Sequence, residues 1–337
     1  MTRAVPLLPS LLALALIAPL HAHALQAGAP AATAPAAATP DTPDPARAND
    51  AATVDGASGL LRLQVLLDRA NFSPGEIDGQ AGSNQQRALR GYQAAHGLAV
   101  TGQPDAATWQ ALNADTKPVV ASYTLTAEDV AGPFVQIPKQ IAKQAGLEAL
   151  GYTSLAEALG ERFHVSPQTL QQLNPGLDLA TAKAGTVVKV TNVLGAEPLA
   201  KAARVVVDKS DSTLSLLDAQ GKVYAQFPVT SGSVHDPLPI GQWKILGISR
   251  DPTFHYNPKL FWDAKKGDKK ATISAGPNNP VGRVWIDLSK DHYGLHGTPE
   301  PRNVGKTQSH GCVRLTNWDV LKLADAVDAS VPVTFQE

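Results

Sequence analysis

Hydrophobic and polar positions change rhythm several times along this chain of 337 residues. Leu7 to Leu20 is apolar apart from Ser10 and two prolines, follows a single charge at Arg3, and runs into Ala22-His23-Ala24. A charged start, a short apolar run and a small-x-small site predict a secretory leader over residues 1–24, too short and Pro-broken to span a membrane. Residues 25–57 are mostly Ala, Pro, Thr and Asp, with almost no large apolar side chains to offset chain entropy, so they predict a disordered tether. Leu60, Leu63, Leu66 and Leu67 then share one helical face. A second helix over 84–96 stops at Gly97, and Asp105 is placed to cap a third. Within this region Ile77-Asp78-Gly79-Gln80 recurs as Val100-Thr101-Gly102-Gln103, which predicts two Gly turns each followed by a short helix. Further on, Leu155 to Gly160 reads as helix, and Ser166-Pro167 opens another. Val187 to Val193 alternates as a strand does, whereas Lys139 to Tyr152 reads as helix and turn.

From Ala203 the period becomes that of strands: Arg204–Asp208, Thr213–Leu217, Val223–Thr230, Gln242–Ile248, Arg283–Leu288 and Val331–Phe335, with a hairpin turn at Asp218 to Lys222. Asn317 to Val327 is the one helical pattern among them. Asp251 to Pro280, rich in Pro and Lys, interrupts the strands and reads as a lid over a cleft, since loops of that length are usually functional or mobile.

Charge and cysteine content narrow the chemistry. A net charge of −1 and the lack of a basic groove interleaved with aromatics argue against a nucleic-acid partner. Cys312 is the only cysteine, so no intramolecular disulfide exists. In an exported chain an unpaired thiol risks oxidation, and chemistry explains its presence more readily than packing does. His296 and His310 are candidate bases for a Cys312 nucleophile. A zinc site of His292, His296, His310 and Cys312 is the competing assignment, opposed by Gly294 and Gly297, which make 292–297 strand and loop rather than a helical metal motif. His235 and His255 are possible cleft-lining residues, and His292 a surface one.

The sequence His296, then Ser309-His310-Gly311-Cys312-Val313-Arg314 and Asn317, resembles the active-site signature of the L,D-transpeptidases, cysteine enzymes that crosslink peptidoglycan. The likeness extends over Val229 to Gly232, Pro239 to Gly241, Gly276 to Gly282 and Tyr293 to Gly297. Residues 58–115 resemble the helical peptidoglycan-binding domain, and 150–195 a lysin-type glycan-binding motif whose first strand is not evident. The implied fold is multidomain α+β: a β-rich catalytic domain over 201–337, preceded by a small three-helix domain and an α/β module, both read as wall tethers.

The resemblance implies Cys312 as nucleophile and His296 as proton acceptor and donor, whose pairing should lower the Cys312 pKa towards neutrality or below. It further implies Ser309, His310 and Gly311 in oxyanion or orienting roles. Arg314 fits either a bidentate pairing with a substrate carboxylate or a structural ion pair to the long loop, and Gly297 and Thr298 fix the backbone around His296 and count as substrate-binding. No cofactor or metal and no membrane anchor is implied. The expected location is the periplasm or cell wall, and the partners are glycan strands and stem peptides. The acyl acceptor is left open among a stem amine, a lipoprotein amine and water.

Overall fold

The computed structural model describes residues 42–195 and 197–337, so the leader and the first part of the tether lie outside the described residues. Residues 42–57 do not behave as a tether. Asp44 accepts a hydrogen bond from the Arg47 N–H and Pro45 sits in the first turn, starting α1 (Pro45–Asn49). Ala48 is fully buried, and the Asn49 side chain binds the backbone of Val119 and Val120. Apolar content is indeed low here, but a short helix needs little of it when a ready-made surface waits beside it.

That surface is the helical module, α2 (Gly56–Arg69), α3 (Ser83–Ala95) and α4 (Ala106–Leu112). The internal repeat has a physical meaning: Gly79 and Gly102 both take a φ of +66°. Each turn is clamped by a buried glutamine from the preceding helix. Gln64 Oε1 accepts from the N–H groups of Asp78 and Gly79, and Gln93 Oε1 from those of Thr101 and Gly102. Helix α2 departs from the one-faced pattern: Leu61, Leu63, Val65, Leu66 and Leu67 are all buried, because neighbours cover it on several sides. Its polar residues Arg62, Gln64 and Asp68 are buried too and hydrogen-bonded.

Next comes a strand-helix-helix-strand unit. Its first strand, β1 (Val120–Thr124), pairs antiparallel with β2 (Val187–Thr191), enclosing Leu155, Leu159, Leu170, Val188 and Val190. Between β1 and the principal helices lie α5 (Ala127–Ala131) and α6 (Ile141–Gln144), followed by α7 (Leu155–Arg162) and α8 (Pro167–Leu173). The expected boundary at residue 150 is therefore corrected. The missing strand lies upstream at 120–124, separated from its helices by an insertion that hid it.

The remaining strands are β3 (Arg204–Asp208), β4 (Thr213–Leu217), β5 (Val223–Pro228), β6 (Gly241–Arg250), β7 (Phe254–Tyr256), β8 (Ala271–Ile273), β9 (Val284–Leu288), β10 (Gly294–His296) and β11 (Val313–Arg314). After these come α9 (Asn317–Ala326) and β12 (Pro332–Gln336). Eight of these strands form one sheet in the order β11-β10-β9-β6-β12-β3-β4-β5. Pairing is antiparallel except for β10 with β11 and β12 with β3. Helix α9 closes the core with Val320, Leu323 and Ala324 against Val284, Ile286 and Leu295. The long interruption is not structureless, because β7 and β8 pair as an antiparallel arm.

The modules are not detachable tethers either. Asn71 and Ser73 exchange backbone hydrogen bonds with Gln226, and Ile77 with His164 and Ser166. Asp68 of α2, fully buried, accepts from His164 Nδ1 at 3.0 Å and from Lys322 Nζ of α9 at 3.1 Å. Among the described residues no helix is long and apolar enough to cross a membrane.

Candidate active site

Strands β10 and β11 run parallel at the sheet edge, with Leu295 opposite Val313 and His296 opposite Arg314. Leu295 and Val313 point into the core and are fully buried. By the two-residue period of a strand, His296 and Arg314 take the other face, and Cys312 shares it. All three line a cavity of about 1140 Å³ whose walls include Trp285, Tyr293 and His292, the arm residues Phe254, Tyr256 and Phe261, and Lys139 to Ala142.

His296 is almost completely buried and stacks on Trp285 with ring centroids 5.6 Å apart. Its Nδ1 lies 2.7 Å from the Gly297 carbonyl. A carbonyl can only accept, so Nδ1 carries the hydrogen and, in the neutral ring, Nε2 keeps its lone pair. Burial, and secondarily the Arg314 cation, depress the imidazole pKa to about 3. The ring is thus neutral at physiological pH.

The part-exposed Cys312 thiol faces the His292 carbonyl at 3.7 Å, a weak contact. Desolvation raises its pKa, outweighing the Gly294 amide and the Arg314 charge that pull it down. The expected lowering by an imidazolium is corrected for the resting molecule: a ring held neutral by burial offers no charge to stabilise a thiolate.

The loop before Cys312 is organised from within. Ser309 Oγ donates to the Cys312 carbonyl at 2.6 Å and accepts the Gly311 N–H at 3.2 Å. Ser309 therefore shapes the turn. The Gly311 amide is already used, which leaves the Cys312 amide as the loop's candidate oxyanion donor. Gly311 has a φ of +99°, and a Cβ there would stand 2.8 Å from the Tyr293 ring. His310 turns to the arm: its Nε2 lies 2.8 Å from Asp263 Oδ1, and its ring packs on Phe261 and Trp262. It joins the Cys312 loop to the covering arm.

Arg314 makes no ion pair among the described residues, although Asp263 and Glu300 act on it from a distance and burial lowers its pKa. An unpaired, half-buried guanidinium in a cleft is suited to a carboxylate ligand. Gly297 and Thr298 are buried and do not line the cavity, so their substrate-binding assignment is corrected. Gly297 is small because Asn317 Oδ1 occupies the space a side chain would need. That same oxygen accepts the Arg283 N–H at 3.0 Å, while Asn317 Nδ2 donates to Pro277 O and to Glu161 Oε1. The last residue of the signature is thus an architectural clamp, reaching a glutamic acid of the strand-helix-helix-strand unit.

His255 and His292 line the cavity, the latter at an exposed position, whereas His235 stacks on Trp262 at 4.4 Å outside the lining. Sequence reasoning missed Trp285, Tyr293 and Asp236. Tyr293 stood within a matched stretch and could have been singled out. Asp236, whose Oδ2 is buried without a partner among the described residues, gave no signal.

The L,D-transpeptidase catalytic-domain family matches residues 202–334, and the family described as "Putative peptidoglycan binding domain" matches residues 57–112. Among curated proteins, "Putative L,D-transpeptidase YkuD" of Bacillus licheniformis is 29% identical over 51% of this chain and 87% of its own length. "Probable L,D-transpeptidase YbiS" of Escherichia coli is 26% identical over 55% of this chain and 61% of its own. Among solved structures, an L,D-transpeptidase from Mycobacterium smegmatis aligns with a TM-score of 0.33 and 18% identity, covering 45% of this chain and 64% of that one.

Proposed function

We propose that this chain, whose residues 202–334 match the L,D-transpeptidase catalytic-domain family and whose residues 57–112 match a peptidoglycan-binding family, is a cysteine acyltransferase acting on peptidoglycan stem peptides outside the cytoplasm. The observation that carries this reading is the common face of β10 and β11, where Cys312, a neutral His296 and an unpaired Arg314 line one cleft.

The chemistry follows from these groups. Arg314 holds a carboxylate of a tetrapeptide stem. Cys312 Sγ attacks the carbonyl between the L-centre of diaminopimelate and the terminal D-Ala, and its proton moves to His296 Nε2 as the S–C bond forms. A neutral thiol and a neutral imidazole lining one cavity favour this concerted transfer over a preformed ion pair. The Cys312 amide steadies the oxyanion. As the C–N bond breaks, His296 returns the proton to the departing D-Ala amine, leaving a thioester. An amine of a second stem then attacks, the C–S bond breaks, and the amine proton passes through His296 back to sulfur. The product is an L,D crosslink. A lipoprotein amine in the acceptor role would anchor that protein, and water would make the enzyme an L,D-carboxypeptidase.

Incubation with a disaccharide-tetrapeptide, followed by product analysis, tests this function. Free D-Ala with crosslinked dimers supports transfer. D-Ala with tripeptide alone supports the hydrolytic alternative, and no D-Ala release refutes both.

A further inference from the structure

The insertion that separates β1 from α7 does not stay with its own module. Its neck is closed by the Val135 N–H on the Tyr152 carbonyl at 2.9 Å. Beyond the neck it is fastened to the end of the covering arm in the catalytic domain. The Leu150 N–H donates to the Ala275 carbonyl at 2.9 Å, and the Asn278 N–H to the Leu150 carbonyl at 3.0 Å. Ser274 Oγ donates to Leu147 O at 2.8 Å, and Asn278 Nδ2 to Gly151 O at 2.9 Å. Leu150 is fully buried, and a side chain at position 276 would collide with its carbonyl. The other end of the insertion, Lys139 to Ala142, lines the cavity that holds Cys312. A segment that precedes the catalytic domain in the chain thereby lines the cleft that holds Cys312.

Charge indicates what this wall meets. Two of the cleft's aspartates are engaged by protein groups, Asp263 by His310 and Asp268 by Tyr256 and the Lys265 N–H. Lys139 is exposed and has no hydrogen bond or ion pair among the described residues. Stem peptides carry carboxylates in addition to the one assigned to Arg314, and a free ammonium at the rim is complementary to them.

We infer that the 132–152 insertion is a substrate-binding wall of the active site, with Lys139 contacting a carboxylate of the acyl-donor stem. This rests on the proposed function and adds a specificity determinant to it. The insertion makes donor selection depend on the module that precedes the catalytic domain.

The test uses the full chain, Lys139→Glu, and a variant in which residues 139–146 become a Gly-Ser segment of equal length, keeping the Leu147 and Leu150 anchors. D-Ala release is followed with a disaccharide-tetrapeptide and with its carboxamide analogue, and acylation by a carbapenem is followed by intact mass. The inference expects Lys139→Glu to raise KM for the acid donor about tenfold, with kcat and the KM for the carboxamide within about twofold. The Gly-Ser variant should raise KM for both. An unchanged KM for the acid donor in Lys139→Glu, with an active wild type, overturns the inference whether or not the Gly-Ser variant folds. A wild type that neither releases D-Ala nor forms a carbapenem adduct removes the function on which the inference rests, and both fall together.

Discussion

Two polar clusters inside this molecule are built on opposite terms. Where the three modules meet, Asp68 receives both His164 and Lys322, His164 stacks on Trp318, and Ser73 reaches Asp319. His164 and Lys322 hold the Asp68 carboxyl well below the usual carboxylate range despite complete burial. In the cleft the groups are left open: among the described residues Arg314 is without an ion pair, and Asp236 Oδ2 and His310 Nδ1 are buried without partners. Paired buried charges hold structure together, whereas unpaired ones cost stability and persist where a ligand completes them. The interface is not perfectly satisfied, since among the described residues Asp319 Oδ1 and Trp318 Nε1 also lack partners, and burial pushes Asp319 up to about 7.

Substitutions on the two sides should separate activity from stability. The largest effect on rate is expected from His296→Ala, about 10²- to 10⁴-fold in acylation with a small change in melting temperature. In the unmodified chain the base is already neutral above about pH 4, because its pKa sits near 3. Acylation measured by stopped flow should therefore show no acid-limb inflection near the ordinary histidine value of about 6.5. An inflection there would show that the imidazole is less buried in solution than described.

Asp68→Asn should act in the opposite way. Removing the shared acceptor charge strands Lys322 and loosens three modules at once, costing about 3 kcal/mol of stability in denaturant titration. Activity per folded molecule should stay nearly unchanged at low temperature. Arg314→Ala should raise donor KM about tenfold or more, in line with about 1.5–3 kcal/mol for a charged hydrogen bond, without lowering the melting temperature.

The smallest effect sharpens the comparison through pH. Burial pushes Glu161 up to about 8, opposed by the hydrogen bond from Asn317. Its folded pKa lies above the unfolded one, so the folded state loses stability as pH rises from the ordinary glutamate value through about 8. Glu161→Gln keeps an oxygen for Asn317 Nδ2 and removes the buried charge. It should raise stability by about 1–2 kcal/mol at pH 8 and above, and by almost nothing at pH 4. A gain that is equal at both pH values would mean the carboxyl is solvated.

What the sequence disclosed depended on range. Cys312, His296 and Arg314 were legible because a strand's period and a short signature place them, and the Gly79 and Gly102 turns because the repeat is local. The first strand at 120–124 was hidden by the insertion that follows it. The pairing of Asp68 with Lys322, the contact of Asn317 with Glu161 and the arrival of Lys139 in the cleft join residues more than a hundred positions apart, for which no local pattern exists. The neutral state of His296 could not be read either, because it follows from burial beside Trp285 and Arg314. Ser309 and His310 were assigned oxyanion or orienting roles, and sequence spacing could not have named their partners, the Cys312 carbonyl and Asp263.

The most direct measurement is intact-protein mass spectrometry of the purified chain with a disaccharide-tetrapeptide or a carbapenem, beside Cys312→Ala. The account predicts a covalent adduct on the unmodified protein that is absent from Cys312→Ala, with both proteins unfolding at the same temperature. An adduct that survives in Cys312→Ala, or its absence from folded, reduced wild-type protein with both compounds, would contradict the assignment of Cys312 as the nucleophile.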